Sequence, residues 1–89
     1  MSDWSLEFKE SSFKDLSKLD KPIQKKIMQY LKTQVIASNN PRLFGKQLSG
    51  PLKEFWRYRV GDYRVICSIE DRELIVLVIK VKHRKEAYE

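Results

Sequence analysis

Apolar positions change their period twice along the first third of the chain. Trp4, Leu6 and Phe8 alternate with Ser5 and Glu7, which predicts a short half-buried strand over Trp4–Phe8. Phe13, Leu16 and Leu19 then recur at helical spacing. Ser12 with Asp15 three residues on resembles a capping box, so a short helix is predicted from about Ser12 to Leu19. Asp20 and Pro22 restart a helix, since proline suits a first turn. Its apolar stripe is Ile23, Ile27, Met28, Leu31 and Val35, opposed by Lys25, Lys26, Gln29 and Lys32. Asn39, Asn40 and Pro41 end it.

From Pro41 to Glu54 the turn residues Gly45, Ser49, Gly50 and Pro51 predict a loop. Three strands follow, at about Phe55–Val60, Tyr63–Ile69 and Glu73–Val81. The last contains "LIVLVI", apolar at both parities. Such a strand is expected to be covered on both sides and to lie centrally in the sheet. The ending "KHRKEAYE" is too charged for a strand, and a helical turn is expected there. The fold class expected is α+β: a small antiparallel sheet in the order β-α-α-β-β-β, with the helical pair packed on one face and the first strand at an edge. A chain of 89 residues makes one domain, 1–89.

The stretch "FWRYRVGDYRVIC" carries more charge than a hairpin needs. A Gly61-Asp62 loop suits a type II′ turn. Val60 then pairs with Tyr63, Arg59 with Arg64, and Arg57 with Ile66. That register gathers Arg57, Arg59 and Arg64 on one face and Trp56, Tyr58, Val60, Tyr63, Val65 and Cys67 on the other. Like charges directly opposite are destabilising in a sheet. Either Asp and Glu from the helices neutralise the arginines, or the face is built for phosphate, which guanidiniums bind by forked, charge-assisted hydrogen bonds.

Charge supports an anionic partner. Eighteen Lys and Arg stand against 12 Asp and Glu, a formal net charge of +6. The one cysteine, Cys67, lies in an apolar run and is expected to be buried and inert. With one histidine and one cysteine, neither a metal site nor a cofactor is expected. The opening residues lack a secretory pattern and the longest apolar run is too short for a membrane span, so a cytoplasmic location without membrane contact is expected.

The third strand should return its end beside Arg64, bringing Lys80, Lys82, His83, Arg84, Lys85 and Tyr88 to the arginine edge. Lys46 and Lys53, in the preceding loop, are placed to flank it. Cations of this kind hold a phosphodiester and stabilise the added charge of its transition state. His83 is the only side chain whose ordinary pKa suits proton transfer near neutral pH. RNA supplies its own nucleophile, the 2′-OH, so metal-free RNA cleavage is consistent with this set.

The run "KQLSGPLKEFWRYRVGDYRVICSIEDRELIVLVIKVKHRKEAY" resembles the C-terminal half of RelE-type toxins of the RelE/ParE superfamily. "KLDKPIQKKI" fits the same pattern more loosely. The resemblance implies the toxin of a type II toxin–antitoxin system, cutting mRNA in the ribosomal A site without a metal. The implied partners are a cognate antitoxin, mRNA and the ribosome with its 16S rRNA, and operator DNA only through the antitoxin complex. By similarity, Arg64 and Arg84 stabilise the scissile phosphate and Tyr88 orients or stacks on the target nucleotide. Arg57, Lys46, Lys53, Lys82 and Lys85, by their positions around the arginine edge, are expected to bind the phosphates of the RNA. Arg59 departs from the family pattern, standing where RelE has a lysine credited with base catalysis. Arginine stays protonated, so His83 becomes the nearest substitute. Two other functions remain open: a ParE-like gyrase poison, and a basic binding module that breaks no bond.

Overall fold

A computed structural model of the chain describes residues 2–86. Strand β1 (Ser5–Phe8) leads into helices α1 (Glu10–Ser17) and α2 (Lys21–Tyr30), and α2 continues as a π-helical turn, Leu31–Ile36. A two-residue strand β2 (Lys46–Gln47) and a 3-10 turn (Gly50–Leu52) follow. Then come β3 (Phe55–Val60), β4 (Tyr63–Glu70) and β5 (Ile75–His83). The α+β architecture is as expected. The sheet has five strands in the order β1-β5-β4-β3-β2. It is mixed rather than wholly antiparallel, because β1 runs parallel to β5, with Leu6 opposite Val76 and Phe8 opposite Val78.

Both helices cover one face. Leu16, Ile27, Leu31 and Val35 pack onto Tyr58, Val60, Val65, Cys67, Val76, Val78 and Val81, all buried. Full burial of each such aliphatic is worth about 1.5–3 kcal/mol. Cys67 is fully buried, and desolvation raises its thiol pKa well above the ordinary range, as expected of an inert thiol. The capping box does not form: α1 begins at Glu10 with Lys9 as its N-cap. Buried Ser12 instead directs its hydroxyl at the carbonyls of Lys9 and Val78, both at 2.7 Å, and so ties α1 to β5. Asp15 reaches β5 as well, accepting the Val81 N–H at 3.3 Å.

β5 is an interior strand, but β4 rather than β5 holds the middle of the sheet, and helices cover β5 on one side only. Its two parities are reconciled by a bulge. Ile66 pairs with Lys80 while Cys67 pairs with Val78, so Ile79 is an extra residue on β5. Below the bulge Val76 and Val78 face the helices; above it Val81 does. The strand also runs on through Lys82 and His83, where a helical turn had been expected. Cross-strand pairing with Arg64 and Tyr63 absorbs these polar residues.

Candidate functional site

The hairpin register is the one expected from its loop: Arg59 opposite Arg64, Arg57 opposite Ile66, and Val60 opposite Tyr63. Gly61 opens the loop with φ 58°, a conformation that glycine adopts without penalty. On the face away from the helices, two cationic rows result. Arg59, Arg64 and Lys82 lie side by side across β3, β4 and β5. Lys46, Arg57, Ile66 and Lys80 form the next row, from β2 to β5.

The members differ in exposure. Lys46, Arg59 and Lys80 are exposed, Arg57 and Lys82 half-buried. Arg64 is only 4% exposed. Its Nη1 donates to the carbonyls of Gly61 and Tyr63, each at 3.0 Å, which fixes the guanidinium plane against the hairpin turn. Helical carboxylates are engaged elsewhere: Glu10 pairs with Lys14 along its own helix, and Asp15 holds the Val81 N–H.

Arg84 arrives at the hairpin tip. Its N–H donates to the Asp62 carbonyl at 2.7 Å, and its Nε lies 3.6 Å from the Asp62 carboxylate. Lys85 is exposed just beyond, its N–H donating to His83 Nδ1 at 3.2 Å. Lys53 is exposed at the end of the 3-10 turn, outside both rows. Tyr88 lies outside the described residues.

His83 is not on the arginine face. It pairs with Tyr63, and the two rings meet edge to face with centroids 5.2 Å apart. Both border a separate cleft at the free edge of β5, together with Asp15, Lys18 and Leu19. Lys80 and Lys82 border it too, from the outer face. Among the described residues no three His, Cys, Asp or Glu side chains converge as a metal-ligand set.

Below the cationic rows the outer face turns apolar. Leu48, Leu52, Phe55, Ile66 and Ile79 line a groove of about 230 Å³, with Lys80 and Lys82 at its upper end. No helix covers it.

Residues 6–88 match the family described as the ParE toxin of the type II toxin–antitoxin system, parDE. The chain belongs to that family. The toxin is 31% identical over 75 residues to Toxin RelE of Mycobacterium tuberculosis (strain ATCC 25618 / H37Rv), a match covering 84% of this chain and 75% of that one. Its fold is similar to that in the RelBE2 toxin–antitoxin complex of the same species, with TM-score 0.83, 26% identity, and coverage of 91% and 98% of the two chains. The isolated Escherichia coli RelE toxin shares the fold at TM-score 0.73 and 22% identity, over 90% of this chain and 83% of that one. The chain is thus a type II toxin of the RelE/ParE superfamily.

Two contributors to this end of the toxin are not legible in the sequence. Asp62 passed as a turn residue, although it is the tether of Arg84. Asp15 reads in the sequence as a cap, although it takes up one N–H, that of Val81, at the edge of β5. Neither contact leaves a local signal, since each partner is supplied by a distant element.

Proposed function

We propose that this toxin is a ribosome-dependent mRNA endonuclease that cuts in the A site, using the RNA's own 2′-OH as nucleophile. The row Arg59, Arg64 and Lys82 carries this reading. Three cations side by side on adjacent strands are costly for a sheet and useful to a phosphodiester. In the reaction the 2′-hydroxyl gives up its proton as its oxygen bonds to the neighbouring phosphorus, the bond from phosphorus to the 5′-oxygen breaks, and the 5′-oxygen leaves with a proton. The extra negative charge of the pentacovalent state falls on the oxygens these cations hold. Arg84, at the hairpin tip, supplies a further cation and Tyr88 the stacking ring; Arg57, Lys46, Lys53, Lys80 and Lys85 steer the backbone. His83 enters as the imidazole of the neighbouring cleft, one strand edge away from the row.

A cognate antitoxin is the second partner. The apolar groove at Leu48, Leu52, Phe55, Ile66 and Ile79 lies directly below the cations. An acidic, amphipathic antitoxin segment would fill the groove and cover the arginines together. Operator DNA is met only through that complex.

The test is primer extension on cellular mRNA after induced expression in the cytoplasm. Cuts at A-site codons are expected, and Arg64→Ala or Arg84→Ala restores growth. Continued toxicity of the folded double variant would sink the reading. The parDE family match favours one alternative, a gyrase poison. Gyrase cleavage complexes with intact mRNA would establish that reading instead.

A further inference from the structure

β1 stops at Phe8, so the upper half of β5 has no strand on that side, and a cleft of about 520 Å³ opens there. This is the volume range of small-molecule sites. One wall is the end of α1 and the turn beyond it, at Asp15, Lys18 and Leu19. The other is Val81 and His83 of β5, with Tyr63 behind.

The lining mixes charges, and the mixture narrows what fits. A bare phosphate or an acidic peptide would find the ammoniums of Lys18, Lys80 and Lys82, but would also meet the carboxylates of Asp15 and Glu86. An apolar ligand would bury those carboxylates unpaired, at considerable cost. A nucleotide satisfies both. Its flat base suits Leu19, Val81 and the Tyr63 ring, its N–H groups suit a carboxylate, and its phosphate suits the lysines. Lys80 and Lys82 also stand in the cationic rows of the outer face. An RNA strand held on those rows therefore reaches the cleft around the free edge of β5.

We propose that the cleft seats one base of the bound RNA beside the scissile phosphate, and that Asp15 selects guanine there. The proposal rests on the RNA-cleavage reading above. An ionised aspartate only accepts hydrogen bonds. Asp15 Oδ2 accepts the Val81 N–H, which holds the carboxylate in place; Oδ2 keeps a second lone pair and Oδ1 makes no hydrogen bond among the described residues, so both oxygens can accept from a base. Guanine presents two adjacent N–H donors, the ring N1–H and the exocyclic amine. Adenine and cytosine place a ring lone pair next to their amine, which a carboxylate repels. Uracil offers a single N–H between two carbonyls.

The test is to titrate the full-length chain with each of the four nucleoside 5′-monophosphates and follow backbone amide shifts by NMR. Guanosine monophosphate is expected to bind about tenfold or more tightly than the others, the discrimination typical of one good base contact. Its shifts should centre on Lys18, Val81 and His83. Asp15→Asn can still accept the Val81 N–H, so the fold persists, and the preference for guanine should vanish. Lys18→Ala should weaken all four nucleotides alike. Equal affinities, shifts centred elsewhere, or a preference that survives Asp15→Asn would overturn the proposal. Binding needs no cleavage, so the two readings fail separately. A chain that selects guanine without cutting mRNA loses only the nuclease reading, and one that cuts without selecting loses only the cleft.

Discussion

Arg59 stands directly opposite Arg64 across the β3–β4 hairpin, and the two respond to that crowding differently. Arg64 is folded down onto the turn carbonyls of Gly61 and Tyr63, while Arg59 remains exposed. Relieving a like-charge pair is worth roughly 0.2–1 kcal/mol. Arg59→Thr should therefore raise the melting temperature slightly. Loss of one preorganised charge should lower mRNA cleavage, by about 10²-fold if Arg59 faces the phosphate in the transition state. Thermal melts and single-turnover cleavage on the same protein check the pair of signs. A fall in both would mean that Arg59 supports the fold rather than the chemistry.

Asp62 and a phosphate would compete for Arg84. The Asp62 carboxylate is 3.6 Å from Arg84 Nε, and both side chains are more than half exposed. Exposed pairs are worth about 0–1 kcal/mol. Asp62→Asn keeps a residue that turns tolerate, and the backbone tether from the Arg84 N–H remains. Stability should be unchanged. RNA affinity should rise by about threefold at low salt, and the gain should fade at high salt. Filter binding across a salt series would show it, and an unchanged affinity would remove Asp62 as a competitor.

Gly45 is required by contact. A Cβ there would lie 3.0 Å from Tyr58 Cε1 and 3.3 Å from Trp56 Cε3. Tyr58 is fully buried and its hydroxyl donates to the Pro41 carbonyl, so the ring has nowhere to go. Gly45→Ala should cost about 1–3 kcal/mol, the usual range for overpacking. It should also displace Lys46 from Arg57. Chemical denaturation measures the first effect, and loss of the β2 amide protection measures the second.

The same loop has a pH-sensitive clasp. Arg42 donates two hydrogen bonds to Asp71, at 2.9 and 2.8 Å, and lies over the Trp56 ring at 5.6 Å. Hydrogen bonding from Arg42 holds the Asp71 carboxyl below its ordinary value. A depressed carboxyl stabilises the fold above its unfolded pKa, and that contribution is lost as pH falls through the folded pKa. Asp71→Asn should therefore melt below the wild type at pH 7, by no more than about 1 kcal/mol for so exposed a pair. The difference should shrink as pH falls below the ordinary carboxyl range and close once pH lies below the folded pKa of Asp71. A gap that persists in acid would assign the effect to packing instead.

The hairpin was legible because a two-residue loop with glycine first sets register, and register sets faces. The two-residue loop alone brings Arg57, Arg59 and Arg64 onto one face and turns Trp56 and Tyr58 toward the core. The partner of β1 was not legible, since a parallel pairing across the whole chain leaves no local pattern. Nor was the burial of Arg64, which depends on turn carbonyls that its own folded side chain meets. His83 was placed at the right end of the sheet but not on its face, because face follows parity, and parity changes at Ile79.

That change at Ile79 makes β5 two strands in one. Its lower half is committed to packing, through Val76 and Val78, and its upper half carries the polar chemistry of Lys80, Lys82 and His83. The extra residue acts as a phase shifter between them. Were β5 to run straight through Ile79 with the lower pairing kept, everything above would invert, aiming Lys82 at the helices and His83 at the arginine face. Deleting the Ile79 codon would instead close the bulge and leave Lys80 opposite Ile66 and Lys82 opposite Arg64, so the cationic rows tolerate the loss of this one residue but not its absorption into a regular strand.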